Sequence, residues 1–206
     1  MTDAFGDTAL PPCAPGMRIG LFGGSFNPAH EGHRLVATQC LKRLRLDAIW
    51  ILVTPGNPLK DRAGLAPLSE RIAKTRALMD HPKIEVTGFE AAHGFTYTYE
   101  TVSYLTQACE GSRLVWIMGA DSLRDFDRWE RWQDIAKLVP MAVYARPGAN
   151  FRATLSKAAT ALKAFRIAEE AAETLADRAP PAWVYLRGVM SGLSSTAIRA
   201  KAADSA

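Results

Sequence analysis

The sequence lacks the features by which membrane proteins and exported proteins are recognised. None of its apolar runs approaches the roughly 18 residues that a membrane-spanning helix needs. Residues 1–16 contain Asp3 and Asp7 among several prolines, without the charged and then apolar pattern of a signal peptide. We therefore expect no membrane partner, a flexible N-terminal tail over 1–16 and one folded domain over 17–206, a length that suits a single core.

Cysteine is scarce, and basic charge is not concentrated anywhere. The three cysteines, Cys13, Cys40 and Cys109, have a spacing that fits neither a zinc site nor a redox motif, which favours a cytoplasmic, reducing location. The net charge of +4 is spread along the chain rather than gathered in a block, so nucleic-acid binding is unsupported. The same modest surplus of lysine and arginine suits a site for multiply charged phosphates.

Apolar runs alternate with amphipathic stretches from end to end. The runs are nearly continuous, as in strands buried on both faces of a parallel sheet, and predict strands over 18–22, 48–54, 84–87, 114–118, 141–145 and 183–187. The amphipathic stretches predict helices over 32–45, 69–80, 98–110, 131–138, 154–176 and 195–202, with Ser69 as an N-cap. This alternation predicts the α/β class, with a Rossmann-like doubly wound parallel sheet in a single domain. In such sheets, ligands bind beyond the carboxyl ends of the strands.

The segment 23–33 joins the first predicted strand to the first predicted helix and reads Gly-Gly-Ser-Phe-Asn-Pro-Ala-His-Glu-Gly-His. A glycine turn lets the backbone approach a ligand, and a helix start offers N–H groups to an anion. His30 and His33 add imidazole donors for phosphate oxygens. The two histidines alternatively cap a helix, contact the core or bind a metal. The metal alternative is disfavoured because helical zinc pairs use i, i+4 spacing and no further histidine or cysteine cluster is present.

A second candidate phosphate site lies in the segment 191–199, which reads Ser-Gly-Leu-Ser-Ser-Thr-Ala-Ile-Arg. Ser194 and Ser195 are N-cap residue types, and Arg199 lies one turn further along the same helix face. An ordinary capped helix with a solvated arginine also explains this pattern.

Taken together, the two segments resemble the nucleotidyltransferases that share a His-x-Gly-His signature, and within them the bacterial nicotinate-nucleotide adenylyltransferases. The resemblance covers roughly residues 18–202 and includes the family's Asn-Pro loop at 55–60, Tyr-Thr segment at 96–101, Gly-x-Asp-Ser loop at 119–122 and Arg-Pro-Gly at 146–148. The chain departs from the family at Lys60, where a histidine or arginine is common, and at Glu130, where relatives often carry an aromatic residue.

This resemblance implies adenylyl transfer from ATP to nicotinate mononucleotide, which gives nicotinate adenine dinucleotide and pyrophosphate in NAD biosynthesis. It implies magnesium bound with ATP and no metal ligands from the protein. The implied catalytic residues are His30, His33, Lys60 and Arg199. The implied ATP-binding residues are Gly23, Gly24, Ser25, Phe26, His30, His33, Gly119, Asp121, Ser194, Ser195, Thr196 and Arg199. The implied nicotinate-mononucleotide-binding residues are Ser25, Asn57, Lys60, Tyr97, Thr98, Trp129 and Arg146.

Other interpretations of the same residues stay open. A sister enzyme would act on nicotinamide mononucleotide, glycerol phosphate or phosphopantetheine, and a non-catalytic module would only bind nucleotide. His30 counts against phosphopantetheine, because those relatives usually have threonine there, whereas Trp129 and the segment 97–101 favour a pyridine nucleotide. Trp129 alternatively faces the core, Asp121 is alternatively a turn residue, and Thr98 is alternatively a helix cap. The sequence does not determine whether the chain forms a homo-oligomer.

Overall fold

Parallel strands form one sheet between two layers of helices. The computed structural model describes residues 7–56, 64–145, 151–188 and Ser195. Within these residues the strands are β1 (Arg18–Gly24), β2 (Ala48–Val53), β3 (Ile84–Thr87), β4 (Arg113–Gly119), β5 (Met141–Tyr144), β6 (Arg166–Ile167) and β7 (Trp183–Leu186). Their order across the sheet is β3-β2-β1-β4-β5-β7-β6, and every neighbouring pair is parallel. The order reverses between β1 and β4, which confirms the doubly wound α/β fold.

Helices connect most of the strands. Within the described residues the α-helices are α1 (Glu31–Arg43), α2 (Leu68–Leu78), α3 (Phe89–His93), α4 (Thr98–Ala108), α5 (Ala120–Arg124), α6 (Trp132–Leu138) and α7 (Lys157–Ala161). The sequence pattern did not predict α3 or α5, which have five residues each. Ser69 is not the N-cap that was expected, because α2 begins one residue earlier and Pro67 is its N-cap. The helix expected over 195–202 lies outside the described residues except for Ser195, which is helical.

The prediction of one long helix over 154–176 is wrong. The chain there forms α7, short 3₁₀ turns and the two-residue edge strand β6, which pairs with β7. A longer 3₁₀ segment, Glu169–Asp177, follows and buries Ala172, Leu175 and Ala176. The alanine-rich composition favours a continuous helix locally. Pairing with the edge of the sheet and burial of these side chains stabilise a series of short elements instead.

Two apolar clusters cover the two faces of the sheet. On one face Ile19 and Leu21 pack with residues of α4 and α6, including Val102 and Ile135. On the other face Phe22 and its neighbours pack with α1 and α2. The strands are thus buried on both sides, which explains why their sequences are nearly continuous apolar runs. Among the described residues no helix has both the length and the apolar character required to span a bilayer.

Residues 7–16 contact the domain, in contrast to the flexible tail expected there. The Thr87 hydroxyl donates to the Ala9 carbonyl (2.7 Å), and the Gly88 N–H donates to the Asp7 carbonyl (2.8 Å). A disulfide joins Cys13 to Cys109. Cysteine spacing gave no sign of this pair, because the two residues meet only through the fold. We call residues 7–16 the N-terminal strap.

We expect reduction of the Cys13–Cys109 disulfide to destabilise the fold. The bond closes a loop with a sequence separation of 96 residues, and a loop of that size corresponds to about 4–5 kcal/mol in the chain-entropy account. Urea unfolding with and without dithiothreitol measures the difference. The Cys13→Ser variant is the matched control, because its unfolding should match that of the reduced wild type and should not respond to reductant. Equal unfolding free energies of the oxidised and reduced wild type would contradict this expectation.

Candidate active site

A cavity lies at the carboxyl edge of the sheet, where β1, β2 and β4 end. Its volume is about 400 Å³. It is lined by Gly23 and Gly24 at the end of β1, by Ser25 after it, and by Thr54 and Gly56 after β2. Ser122, residues 128–130, Glu90 and residues 96–98 also line it. The position agrees with the general rule for ligand sites in open parallel sheets.

The two glycines at the end of β1 are required by two aromatic rings that lie against them. A Cβ built on Gly23 would be 2.8 Å from the Trp116 ring, and one built on Gly24 would be 3.1 Å from the Phe26 ring. Phe26 itself is buried and has a φ of 45°, in the left-handed region that is costly for a bulky residue. The turn is therefore held in a shape that keeps bare backbone at the cavity wall.

His30 and His33 together cap the N-terminus of α1. The His30 Nδ1 accepts the Gly32 N–H (3.1 Å), and the His33 Nδ1 accepts the His30 N–H (3.2 Å). Because each Nδ1 acts as an acceptor, the hydrogen of each neutral ring lies on Nε2, which is then a donor. The two rings are 3.8 Å apart between centroids, and the residues are only 6% and 8% exposed. The capping interpretation and the donor interpretation are thus compatible, since they use different nitrogens.

The C-terminal motif reaches the histidine turn at one described point. The Ser195 hydroxyl donates to the Pro28 carbonyl at 3.0 Å, across a sequence separation of 167 residues. This contact brings Ser195, the one described residue of the second candidate phosphate site, against the first site. Ser194, Thr196 and Arg199 lie outside the described residues, as do Asn57, Lys60 and Arg146.

Four of the residues assigned to the pyridine nucleotide line the cavity, and Ser25 is one of them. Tyr97, Thr98 and Trp129 all line it, and the Trp129 ring stands edge-on to Trp116 at 6.3 Å between centroids. Tyr97 rather than Thr98 occupies the N-cap position of α4. The Glu100 carboxylate completes this cap by accepting the N–H groups of Thr96 and Tyr97, each at 2.8 Å.

Gly119 and Asp121, which the resemblance assigned to ATP binding, are not among the described residues that line the cavity. Gly119 is the N-cap of α5, and Asp121 is an exposed residue in the first turn of that short helix. Of this loop, Ser122 is the residue that lines the cavity. His30 and His33 are not among the described lining residues. His30 is the N-cap of α1, His33 lies in its first turn, and both are buried.

The sequence did not point to Arg71, whose side chain hydrogen-bonds to backbone carbonyls in the loops that follow β1 and β2. Its guanidinium donates to the carbonyls of Ala66 (2.9 Å), Ser25 (2.7 Å) and Thr54 (2.8 Å). The residue is 2% exposed, and burial lowers the pKa of the guanidinium. One side chain on α2 thereby joins the ends of β1 and β2. In the sequence Arg71 looks like a solvated charge on an amphipathic helix, so no local signal identifies it.

Glu90 was also missed. It is 6% exposed on α3, lines the cavity and accepts the Thr101 hydroxyl at 2.6 Å. Burial raises the pKa of its carboxyl to about 7, the Thr101 hydrogen bond opposes this rise, and the nearby Glu100 charge adds to it. The helix α3 that carries Glu90 was not predicted, so its carboxyl could not be placed at the site.

The described residues do not form a protein metal centre. Among them no group of three or more His, Cys, Asp or Glu side chains is arranged to hold a metal ion. A divalent cation in this site would therefore have to be held mainly by a ligand's own oxygens, as magnesium commonly is by phosphates.

Comparison with known proteins identifies the relatives of the chain. The cytidylyltransferase-like family model matches residues 21–201. A protein of Bradyrhizobium sp. (strain ORS 278), named a probable nicotinate-nucleotide adenylyltransferase, is 54% identical over 183 residues, covering 89% of this chain and 95% of that protein. A protein of Methylorubrum extorquens with the same name is 54% identical over 185 residues, covering 90% of this chain and 100% of that protein.

A solved structure shares the fold at much lower identity. Plasmodium falciparum nicotinic acid mononucleotide adenylyltransferase complexed with NaAD superposes with a TM-score of 0.65 and 15% identity, and covers 89% of this chain and 83% of that chain. The likeness confirms the architecture of the sheet and its helices.

We expect the Arg71→Met variant to lose roughly 2–4 kcal/mol of unfolding free energy, because three partly buried carbonyls lose their donor. Arg71→Lys should recover only part of this loss, since one ammonium cannot reach all three carbonyls in the fork geometry of a guanidinium. Urea denaturation measures both effects. The control is Lys74→Met on the same helix, whose exposed ammonium pairs with Glu70, and which should change stability by less than about 0.5 kcal/mol. An equal loss in the Arg71 and Lys74 variants would contradict the role of Arg71.

Proposed function

Because the chain belongs to the nicotinate-nucleotide adenylyltransferases, within the cytidylyltransferase-like family, we propose that it catalyses adenylyl transfer from ATP to nicotinate mononucleotide. A 5′-phosphate oxygen of the mononucleotide attacks the α-phosphorus of ATP. The bond from that phosphorus to the β-phosphate oxygen breaks, and pyrophosphate leaves with the electron pair. The products are nicotinate adenine dinucleotide and pyrophosphate, a step of NAD biosynthesis.

One observation in the structure carries this proposal, namely the contact between the two ends of the chain. The Ser195 hydroxyl donates to the Pro28 carbonyl, which brings Ser195 of the C-terminal motif beside the turn that carries His30 and His33. Each segment alone suits one phosphate group, whereas the two together suit a triphosphate. The adjacent cavity, with Tyr97 and Trp129 in its walls, is of the size and chemistry expected for an aromatic nucleotide.

The proposed mechanism depends on alignment and donated hydrogen bonds. The attacking phosphate is already an anion, so no side-chain nucleophile or strong base is required. The Nε2–H groups of His30 and His33 face the charge that develops on the α-phosphate and on the leaving pyrophosphate. Lys60 and Arg199 supply further positive charge, and Ser194, Ser195 and Thr196 bind phosphate oxygens. The backbone of 23–26 and Asp121 at the Gly119 loop complete the ATP site.

The mononucleotide occupies the cavity in this proposal. Its pyridine ring lies between Trp129 and the start of α4 at Tyr97 and Thr98. Ser25, Asn57, Lys60 and Arg146 are the further residues assigned to binding it. The substrate on the other side is ATP with its own magnesium, which partly neutralises the phosphates. We place the reaction in the cytoplasm, without a membrane or a nucleic acid as partner. The Cys13–Cys109 disulfide does not support the argument for this location from the cysteines, since such bonds are rare in a reducing compartment.

Pyrophosphate release distinguishes the proposed substrate from its relatives. We expect turnover with magnesium, ATP and nicotinate mononucleotide, and a kcat/KM at least about 10-fold lower with nicotinamide mononucleotide, the size of effect that one mismatched polar group produces. Phosphopantetheine is the negative control. A kcat/KM that favours the amide by an order of magnitude would overturn the choice of the acid over the amide, and activity with phosphopantetheine alone would overturn the choice of a pyridine nucleotide.

His33 provides a sharper test, because its two nitrogens have separate tasks. We expect His33→Ala to lower kcat by at least about 100-fold through loss of a transition-state donor, and to lose about 1 kcal/mol of stability through loss of the cap on the His30 N–H. In His33→Asn the amide oxygen takes the place of Nδ1, so stability should be retained while turnover stays low. In His33→Gln the amide N–H lies near Nε2, so part of the turnover should return. A fully active His33→Asn variant would contradict the role of Nε2 as a donor.

A further inference from the structure

The carboxyl of Glu90 is held in a fixed position at the cavity wall. Thr101, which donates to one of its oxygens, is fully buried on α4. The short helix that carries Glu90 is held at its start, because the Thr87 hydroxyl accepts the Phe89 N–H at 3.1 Å. The same hydroxyl donates to the Ala9 carbonyl in the N-terminal strap. Hydrogen bonds therefore hold both the carboxyl of Glu90 and the start of its helix at the cavity.

The charged groups around Glu90 do not neutralise it. From α4 it faces Glu100, whose carboxylate is committed to the N–H groups of Thr96 and Tyr97. Arg128 and Glu130, one charge of each sign, line the same cavity. On its own helix, His93 packs its ring against Phe95 and Tyr104. Within the described ranges no ion pair includes Glu90, which is an unusual situation for a carboxyl that is 6% exposed.

Burial without a cation favours the uncharged form of a carboxyl group. The pKa of Glu90 is raised accordingly to about 7, so the acid and the carboxylate are both populated at neutral pH. The acid can donate a hydrogen bond into the cavity, whereas the carboxylate can only accept one. A ligand group that meets Glu90 therefore selects between its two forms.

We propose that Glu90 is a specificity-determining residue, which meets the ring carboxylate of nicotinate mononucleotide as a carboxylic acid and donates a hydrogen bond to it. This inference rests on the proposed function, since it places the pyridine ring between Trp129 and Thr98. Thr98 and Thr101 are three residues apart on α4 and thus share a face, so the Thr101-bound carboxyl lies beside the proposed ring site. A substrate carboxylate next to ionised Glu90 would be repelled, so binding takes up a proton from solvent.

The amide analogue has the opposite preference. Its NH₂ group donates, so it is matched by the ionised Glu90 carboxylate and takes up no proton. Raising the pH through the pKa of free Glu90 therefore penalises the acid substrate and not the amide. The ratio of kcat/KM for the acid over the amide should fall as the pH rises from about 6 to about 9, and by up to about 10-fold per pH unit above the pKa.

Calorimetry measures the proton directly. Nicotinate mononucleotide is titrated into the enzyme near pH 8 in buffers of different ionisation enthalpy, and the slope of the apparent enthalpy gives the number of protons taken up. We expect the wild type to take up roughly half to nine-tenths of a proton more than Glu90→Gln, since a carboxyl with a pKa about one unit below the pH is mostly ionised before binding. The difference between the two proteins cancels the titration of the substrate phosphate.

Glu90→Gln keeps the size of the side chain and an oxygen for the Thr101 hydroxyl, so it tests charge rather than packing. Glu85→Gln is the matched control, because Glu85 is an exposed residue of β3 and should leave both proton uptake and the pH dependence of selectivity unchanged. Thr101→Val is the second variant. It removes the hydrogen bond that holds the pKa of Glu90 down, so the fall in selectivity should shift to higher pH.

The outcomes separate this inference from the proposed function. A wild type without turnover of nicotinate mononucleotide overturns the function itself. An active wild type whose proton uptake is matched by Glu90→Gln overturns the role of Glu90 alone. If Glu90→Gln does not fold, an acid-to-amide ratio with the same pH profile in the wild type and in Thr101→Val overturns that role instead. Loss of the extra proton in Glu90→Gln, together with the shift in Thr101→Val, establishes it.

Discussion

The site depends on the parallel pairing of β1 with a strand on each side. Gly24 is in register with Val53 of β2, and Phe22 is in register with Ile117 of β4. Parallel strands in register end together, so the turns after all three arrive at one edge of the sheet. The Thr54 N–H then donates to the Gly24 carbonyl (3.0 Å), and the Arg71 guanidinium adds bonds to Ser25 and Thr54. The cavity is thus an extension of the strand register rather than a separate loop structure.

The fold was largely predictable because its buried strands appear in the sequence as nearly continuous apolar runs. The strand at Ile84–Thr87 has the predicted bounds, and Trp183–Leu186 is one residue shorter than predicted. The failure over 154–176 has the same origin as this success. Alanine and mixed charges satisfy a helical pattern, but β6 gains hydrogen bonds from β7 that lie outside any local window. Short helices such as Phe89–His93 are equally invisible, since five residues do not display a helical period.

Site residues could be predicted where they lie together in one short segment of sequence. They could not be predicted where they meet only through the tertiary fold. The spacing of the glycines at 23 and 24 and of the histidines at 30 and 33 predicts a phosphate-binding turn. The family resemblance singled out Tyr97 and Trp129, and both line the cavity. Arg71 and Glu90 have no such signal. Each is an ordinary charged residue in its own segment, and only the fold buries it and brings its partner to it. Arg71 binds Ser25, which is 46 residues away in the sequence, and Glu90 binds Thr101, which is 11 residues away.

The N-terminal strap has a practical consequence for how the protein is produced. Its sequence is rich in small residues and proline and looks dispensable, so an expression boundary near Met17 or a cleavable fusion tag there would be a natural choice. Such a boundary would remove the Ala9 and Asp7 carbonyls that hold Thr87 and Gly88. Those two residues directly precede Phe89 and Glu90, so trimming the terminus would loosen the far wall of the cavity. Kinetic comparisons between preparations should therefore be made only among chains that share the same N-terminal start.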